Sequence, residues 1–226
     1  MKRILTVAAH PDDEVLGCGG TIAKLIKEKN YEAYSLILGE GITSRDDKRS
    51  EEKRCREITN LKEHAKKANT ILGVKKVFYH DFPDNRFDTV SFLDIVKVIE
   101  KIKNKINPNI VFTHYEKDLN IDHQITYKAA ITATRPVREE TVKEVYSFEI
   151  PSSTEWSYPL SFSPDMFFDI SETIDIKLKA LKKYQTELRE SPHPRSWEGV
   201  KLIAKLWGMK VGLNYAEAFK CVRILK

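Results

Sequence analysis

Short apolar runs rich in β-formers alternate along this chain with longer stretches of helical periodicity, and that rhythm constrains its fold more than any other feature. Residues 3–9 (Arg-Ile-Leu-Thr-Val-Ala-Ala) read as a buried strand, which Pro11 ends. Apolar residues at helical spacing follow over 15–29, then a second strand over 31–38. A long amphipathic helix is predicted over 51–72, stopped by Gly73. Strands over 76–79 and 109–113 enclose a helix over 92–106, and another helix covers 122–134 before Pro136. Strands near 144–150 and 166–170 and helices near 174–189 and 196–207 complete the series less regularly. Strand–helix alternation at this pace builds a parallel sheet from βαβ units. The expected class is therefore α/β, a mostly parallel sheet flanked by helices. In such sheets ligands bind beyond the carboxyl ends of the strands, here just after Ala9, Leu38, Tyr79 and Thr113.

A chain of 226 residues suits one domain, and no repeat, low-complexity tract or linker divides it. The expected domain is 1–226, with Pro151, Pro159 and Pro164 in one long loop. Ten Phe, nine Tyr and three Trp exclude a disordered chain. No apolar run approaches ~18 residues, so no membrane span is expected. Residues 4–9 are too short an apolar run for a signal peptide, and Asp12-Asp13-Glu14 follows at once. Cys18, Cys55 and Cys221 are scattered and form no CxxC pair, which suits a reducing cytoplasm. The net charge of +5 comes from lysines interleaved with acids and apolar residues. That is the pattern of solvated helix faces, and it lacks the one-sided basic stripe of a nucleic-acid binder.

Two clusters carry chemistry. His10-Pro11-Asp12-Asp13-Glu14 crowds an imidazole and three carboxylates just past the first strand. Carboxylates this close repel one another unless a cation sits among them. His and carboxylate together favour zinc or a similar divalent metal. Pro11 stiffens the turn, so His10 and Asp13 can converge while Asp12 points elsewhere; one of the acids can also cap the next helix. The second cluster, residues 113–123, follows the fourth strand and ends in Asp118-Leu119-Asn120-Ile121-Asp122-His123. On one rim, His10, Asp13 and His123 would supply three ligands and leave a fourth position open, as catalytic zinc requires.

These two motifs resemble the zinc-dependent N-acetylglucosamine deacetylases of the LmbE/PIG-L family. The resemblance extends to residues 83–88, Thr134-Arg135-Pro136, residues 152–156, residues 192–196 and residues 215–219, and so spans nearly the whole chain. It implies a Rossmann-like sheet, one zinc ion (or another divalent metal) on His10, Asp13 and His123, and Asp12 as general base. It also implies a small-molecule amino-sugar substrate. Many relatives carry a histidine where this chain has Asn120, and an amide cannot shuttle a proton. His193, in a Pro-flanked loop, is the first candidate to replace it, with His114 behind. Asp122 is expected either to orient the site as a supporting carboxylate or to cap its helix.

Substrate contacts are expected from Arg86, Glu40 and Trp156. A guanidinium suits a phosphate or sugar hydroxyl, although Asp84 or Asp88 would also pair with Arg86. Glu40 follows the second strand, where a solvated loop is the competing view. Trp156 would stack on a sugar face or belong to the core. Gly17-Cys18-Gly19-Gly20 lacks the GxGxxG spacing, and the preceding acids would repel a pyrophosphate, so dinucleotide binding is rejected. A divalent-metal phosphoesterase and an inactive sugar-binding relative stand as alternatives. The aglycone is not encoded legibly, and a homo-oligomer is left open.

Overall fold

The computed structural model describes residues 1–226. Its elements run β1 (Lys2–Ala8), α1 (Asp13–Lys27), β2 (Tyr31–Gly39), α2 (Glu51–Leu72), β3 (Lys76–Phe82), α3 (Phe92–Ile106), β4 (Ile110–His114) and α4 (Ile121–Ala133). Then follow β5 (Glu144–Phe148), β6 (Met166–Asp169), α5 (Ile174–Leu181), α6 (Trp197–Lys210) and β7 (Ala216–Ile224). One seven-stranded sheet has the order β3-β2-β1-β4-β5-β7-β6. The first five strands pair in parallel, and β7 runs antiparallel to both β5 and β6. The mostly parallel, Rossmann-like α/β fold read from the sequence is the fold observed.

Alternation along β1 divides the core. Ile4 and Ala8 join α1, α2, α5 and α6 on one face, whereas Leu5, Val7 and Ala9 join α3 and α4 on the other. Strand side chains point alternately to opposite faces, so a strand covered on both sides needs apolar residues at every position. The helix ends follow local rules. The Ser50 hydroxyl accepts from the Lys53 N–H at the start of α2, and Gly73 closes it at φ 86°, a conformation that favours glycine. Gly17 has a different cause: a Cβ there would lie 2.3 Å from a ring carbon of Phe148. The glycine-rich stretch thus lets α1 settle on the sheet and has no need of a nucleotide.

Three sequence readings are corrected. β7 was not foreseen, because Ala216-Glu217-Ala218-Phe219 breaks the simple alternation of a half-buried strand. The strand after Gly73 runs on to Phe82, three residues beyond the expected end, and carries the next loop further over the rim. α5 stops at Leu181, not near 189, because the chain turns so that the Tyr184 side chain enters the core.

Candidate metal centre and its surroundings

The carboxyl ends of the parallel strands gather the two clusters. His10 follows β1, and Asp13 opens α1; His123 lies in the first turn of α4 after β4. Their ligand atoms lie within 4.8 Å of one another. Asp13 Oδ2 sits 3.5 Å from His10 Nδ1 and 3.4 Å from His123 Nε2, and accepts the His10 backbone N–H at 2.8 Å. Each imidazole is backed on its far nitrogen by a buried carboxylate. His10 Nε2 is 2.9 Å from Asp122 Oδ2, and His123 Nδ1 is 3.0 Å from Asp118 Oδ1. Metal-binding histidines characteristically lean on such partners, which fix ring orientation and raise basicity.

These supports are themselves held. Asp122 Oδ1 accepts the Phe87 N–H at 2.9 Å. Asp118 accepts from the hydroxyls of Ser153 and Thr154 and from the Asn120 N–H. Burial alone would raise the Asp118 carboxyl, but these bonds and His123 outweigh it and bring it down to about 2. Burial likewise disfavours charge on His123, yet Asp13 and Asp118 push its imidazole up to about 9. The carboxylates therefore create a field that favours positive charge between the rings. With two imidazole nitrogens and a carboxylate oxygen converging there, the donor set fits a divalent metal ion.

His10, Asp84 and Asp122 also lie close enough to share an ion. That group reuses His10, and His10 Nε2 is already engaged by Asp122, so it does not form an independent second site of the kind a two-metal phosphoesterase needs.

Asp12 is not among the converging donors. It stands in the N-cap position of α1 at φ 105°, in the left-handed region, and its side chain caps nothing. The carboxylate is 3% exposed, and burial raises it well above the ordinary range against the pull of Arg195. Arg195 Nη1 lies 3.4 Å from Asp12 Oδ2. The Asp12 N–H donates to Glu14 Oε2 at 3.1 Å, and Glu14 in turn accepts from Asn69 Nδ2 at 2.8 Å and from the Tyr184 hydroxyl.

The remaining sequence candidates divide. Asn120 is the N-cap of α4: its Oδ1 accepts the Asp122 N–H at 2.8 Å, and its Nδ2 donates to Asn85 Oδ1 at 2.8 Å. Both its polar atoms are thus engaged, one of them in capping the helix. The capping alternative for Asp122 falls with it. His114 accepts the Ala9 N–H on Nε2 at 2.8 Å and stacks on His123 at 4.0 Å, so it buttresses the site. Glu40 is corrected as well. It is 2% exposed, and its carboxylate accepts from the N–H groups of Ile42, Thr43 and Asp84 and from the Thr43 hydroxyl, organising the loop after β2.

Arg86 makes no ion pair; Asp84, one expected partner, accepts from the Ser44 hydroxyl and backbone N–H instead. Trp156 is 42% exposed, which removes the core alternative, and meets the His193 ring edge-on at 5.7 Å. His193 Nδ1 accepts the Arg195 N–H at 3.1 Å, and its Nε2 has no protein partner. Sequence reasoning gave no role to Asp118, Glu14 or Arg195 and took Asp84 only as a partner for Arg86, although all four lie within motifs it quoted. Their position on the strand-end rim was the available signal; which groups they meet depends on the fold.

A Rossmann-like sheet with a metal-competent His/Asp centre beside a carboxylate that is not one of its ligands defines a class: hydrolytic enzymes that activate water at a metal. Comparison with known proteins narrows it. The GlcNAc-PI de-N-acetylase (PIG-L) family model matches residues 5–134, and the chain belongs to that family. It is 31% identical over 191 residues to the uncharacterized deacetylase YaiS of Escherichia coli K12, covering 82% of this chain and 91% of that protein. It is 27% identical over 234 residues to a diacetylchitobiose deacetylase of Thermococcus kodakarensis, covering 98% and 84%. Among solved structures, the 4-carboxy-2-hydroxymuconate hydratase GalB of Pseudomonas putida superposes with a TM-score of 0.79 at 25% identity, covering 100% of this chain and 99% of that one. The N,N'-diacetylchitobiose deacetylase of Pyrococcus horikoshii shares the fold, with a TM-score of 0.75 at 21% identity and coverage of 98% and 84%.

Proposed function

We propose that residues 1–226 form one zinc-dependent deacetylase domain that removes the N-acetyl group of an amino sugar or its glycoconjugate. The observation that carries this reading is Asp13 between two imidazoles, each backed by a buried carboxylate, with Asp12 next to them and outside the converging donor set. His10, Asp13 and His123 would hold the ion. Zinc in that place supplies Lewis acidity and lowers the pKa of water toward ~7.

The chain's own residues do the rest. Asp12 takes a proton from the attacking water and delivers it to the departing amine nitrogen as the C–N bond breaks, leaving acetate and a free amino sugar. Asp122 and Asp118 keep the two imidazoles turned inward. His193, with Nε2 free, donates to the oxygen of the tetrahedral centre. The exposed Trp156 ring offers a stacking face for the pyranose, and the unpaired Arg86 offers hydrogen bonds to a hydroxyl or an anionic substituent. Free cysteines at 18, 55 and 221 accord with a reducing cytoplasm.

Acetate release from a panel of N-acetylated sugars, including N-acetylglucosamine and diacetylchitobiose, tests the reading. The zinc-loaded protein should deacetylate at least one member. Asp12→Asn should keep its metal and lose roughly two to four orders of magnitude in turnover. No acetate from any member, or an undiminished Asp12→Asn, contradicts the proposal. One observation supports a second reading, hydration of an unsaturated carboxylate: the full-length likeness to GalB. Loss of the ultraviolet absorbance of 4-carboxy-2-hydroxymuconate, without acetate release from the panel, would favour it.

A further inference from the structure

Arg195 is a cation in an unusual setting. Its guanidinium reaches in from the loop between α5 and α6, and Asp12 is the only acid within 4.0 Å, at 3.4 Å from Nη1. Nε donates to the Pro151 carbonyl at 3.2 Å, which anchors the group to the loop after β5. The loop is itself braced. The Arg195 N–H is bound to His193 Nδ1 at 3.1 Å. Ser196 caps α6 by accepting the Gly199 N–H at 2.9 Å. A Cβ on Gly199 would lie 2.6 Å from the Pro194 carbonyl oxygen, so loop and helix meet at backbone contact. The other side of the contact is equally lopsided: the Asp12 carboxylate accepts no protein hydrogen bond except that from Arg195. The backbone of Asp12 is fixed by Glu14, but only Arg195 fixes its side chain.

We propose that Arg195 is the positioning residue for the general base, an inference that rests on the deacetylase reading of Asp12. The fork spans two anchors, with Nε on the Pro151 carbonyl and Nη1 on Asp12 Oδ2, and so sets the direction of the carboxylate. Asp12 Oδ1 is left free to meet the attacking water. A lysine would bring charge to the same region as a single point, without the second arm of the fork. Misplacing a reacting group by about 1 Å can cost on the order of a hundredfold in rate.

The test compares Arg195→Gln, Arg195→Lys and Arg195→Ala with the parent, each with metal content measured. The expected result is a kcat lower by about a hundredfold in Arg195→Gln and Arg195→Lys, with KM and zinc content unchanged. Added guanidinium ion should restore part of the Arg195→Ala rate and none of the Asp12→Asn rate, a rescue that a merely structural role would not give. Crystal structures of parent and Arg195→Gln supply a readout that needs no turnover: the Asp12 carboxylate should rotate away from its parent direction. An unmoved Asp12 carboxylate in Arg195→Gln, or a parent-like kcat in Arg195→Gln when the parent does release acetate, overturns the proposal. A parent without acetate release on the whole panel overturns the deacetylase reading instead, and the position of Asp12 still decides whether Arg195 orients it.

Discussion

At the scale of residues, the site is an arrangement of carboxylates behind imidazoles. Asp122 and Asp118 touch no ion in this account, yet they decide whether His10 and His123 present a lone pair to it. Asp122→Asn should therefore weaken zinc affinity by roughly 10- to 100-fold while the protein remains folded. Competition against a fluorescent chelator would measure this, and an unchanged affinity would remove Asp122 from the account. The sequence disclosed the converging trio because motif and strand end coincide. Of the supporting shell it anticipated Asp122 alone: Asp118, Asp84 and Arg195 were visible as letters, but Asp84 and Arg195 meet groups from distant segments, and the hydroxyls that hold Asp118 come from Ser153 and Thr154. Arg195 meets Asp12 across 183 positions, and His10 meets Asp122 across 112. Glu40 misled for the complementary reason. A carboxylate at a strand end can face the substrate or satisfy its own loop's N–H groups, and only the loop conformation distinguishes the two.

At the scale of elements, the site depends on how closely α1 lies on the sheet. Gly17 faces the Phe148 ring, and Phe148 meets His114 edge-on at 5.0 Å; His114 stacks on His123. Gly17→Ala places a methyl where the ring now is. It should destabilise the fold by about 1–3 kcal/mol, as overpacking of a closed core does. It should also loosen zinc by displacing His114. Denaturant unfolding with zinc titration would check both, and parent-like stability would show that α1 can lift without cost. The early βαβ units were legible because both-sided burial leaves continuous apolar runs, as in β1 and β4. β7 was not, because its buried Glu217 pairs with Lys177 and accepts the N–H groups of Gly20 and Thr21, a role that looks like exposure in the sequence. α5 read too long for a related reason: the residues after Leu181 keep helical spacing while Tyr184 leaves the helix to reach Glu14.

At the scale of the whole molecule, the same rim that gathers the site also gathers buried acids with perturbed titration. The Glu149 carboxyl, just past β5, is pushed up to about 7 by burial, against the bond it accepts from the Trp207 indole N–H. Its folded pKa thus lies above its unfolded value of about 4.3. Its contribution to stability is full below the unfolded value and is lost as pH rises through about 7. Between pH 5 and pH 8 the parent should lose more thermal stability than Glu149→Gln, which carries no titrating group there; equal losses would contradict the assignment. The central claim concerns the ion. Zinc titrated into metal-stripped protein, with acetate release from a responsive N-acetyl sugar as readout, tests it most directly. The account predicts a rate that is negligible without metal and saturates at about one zinc per chain, with His10→Ala and His123→Ala flat throughout. Full activity in the stripped protein, or parent-like saturation in either histidine variant, would contradict it.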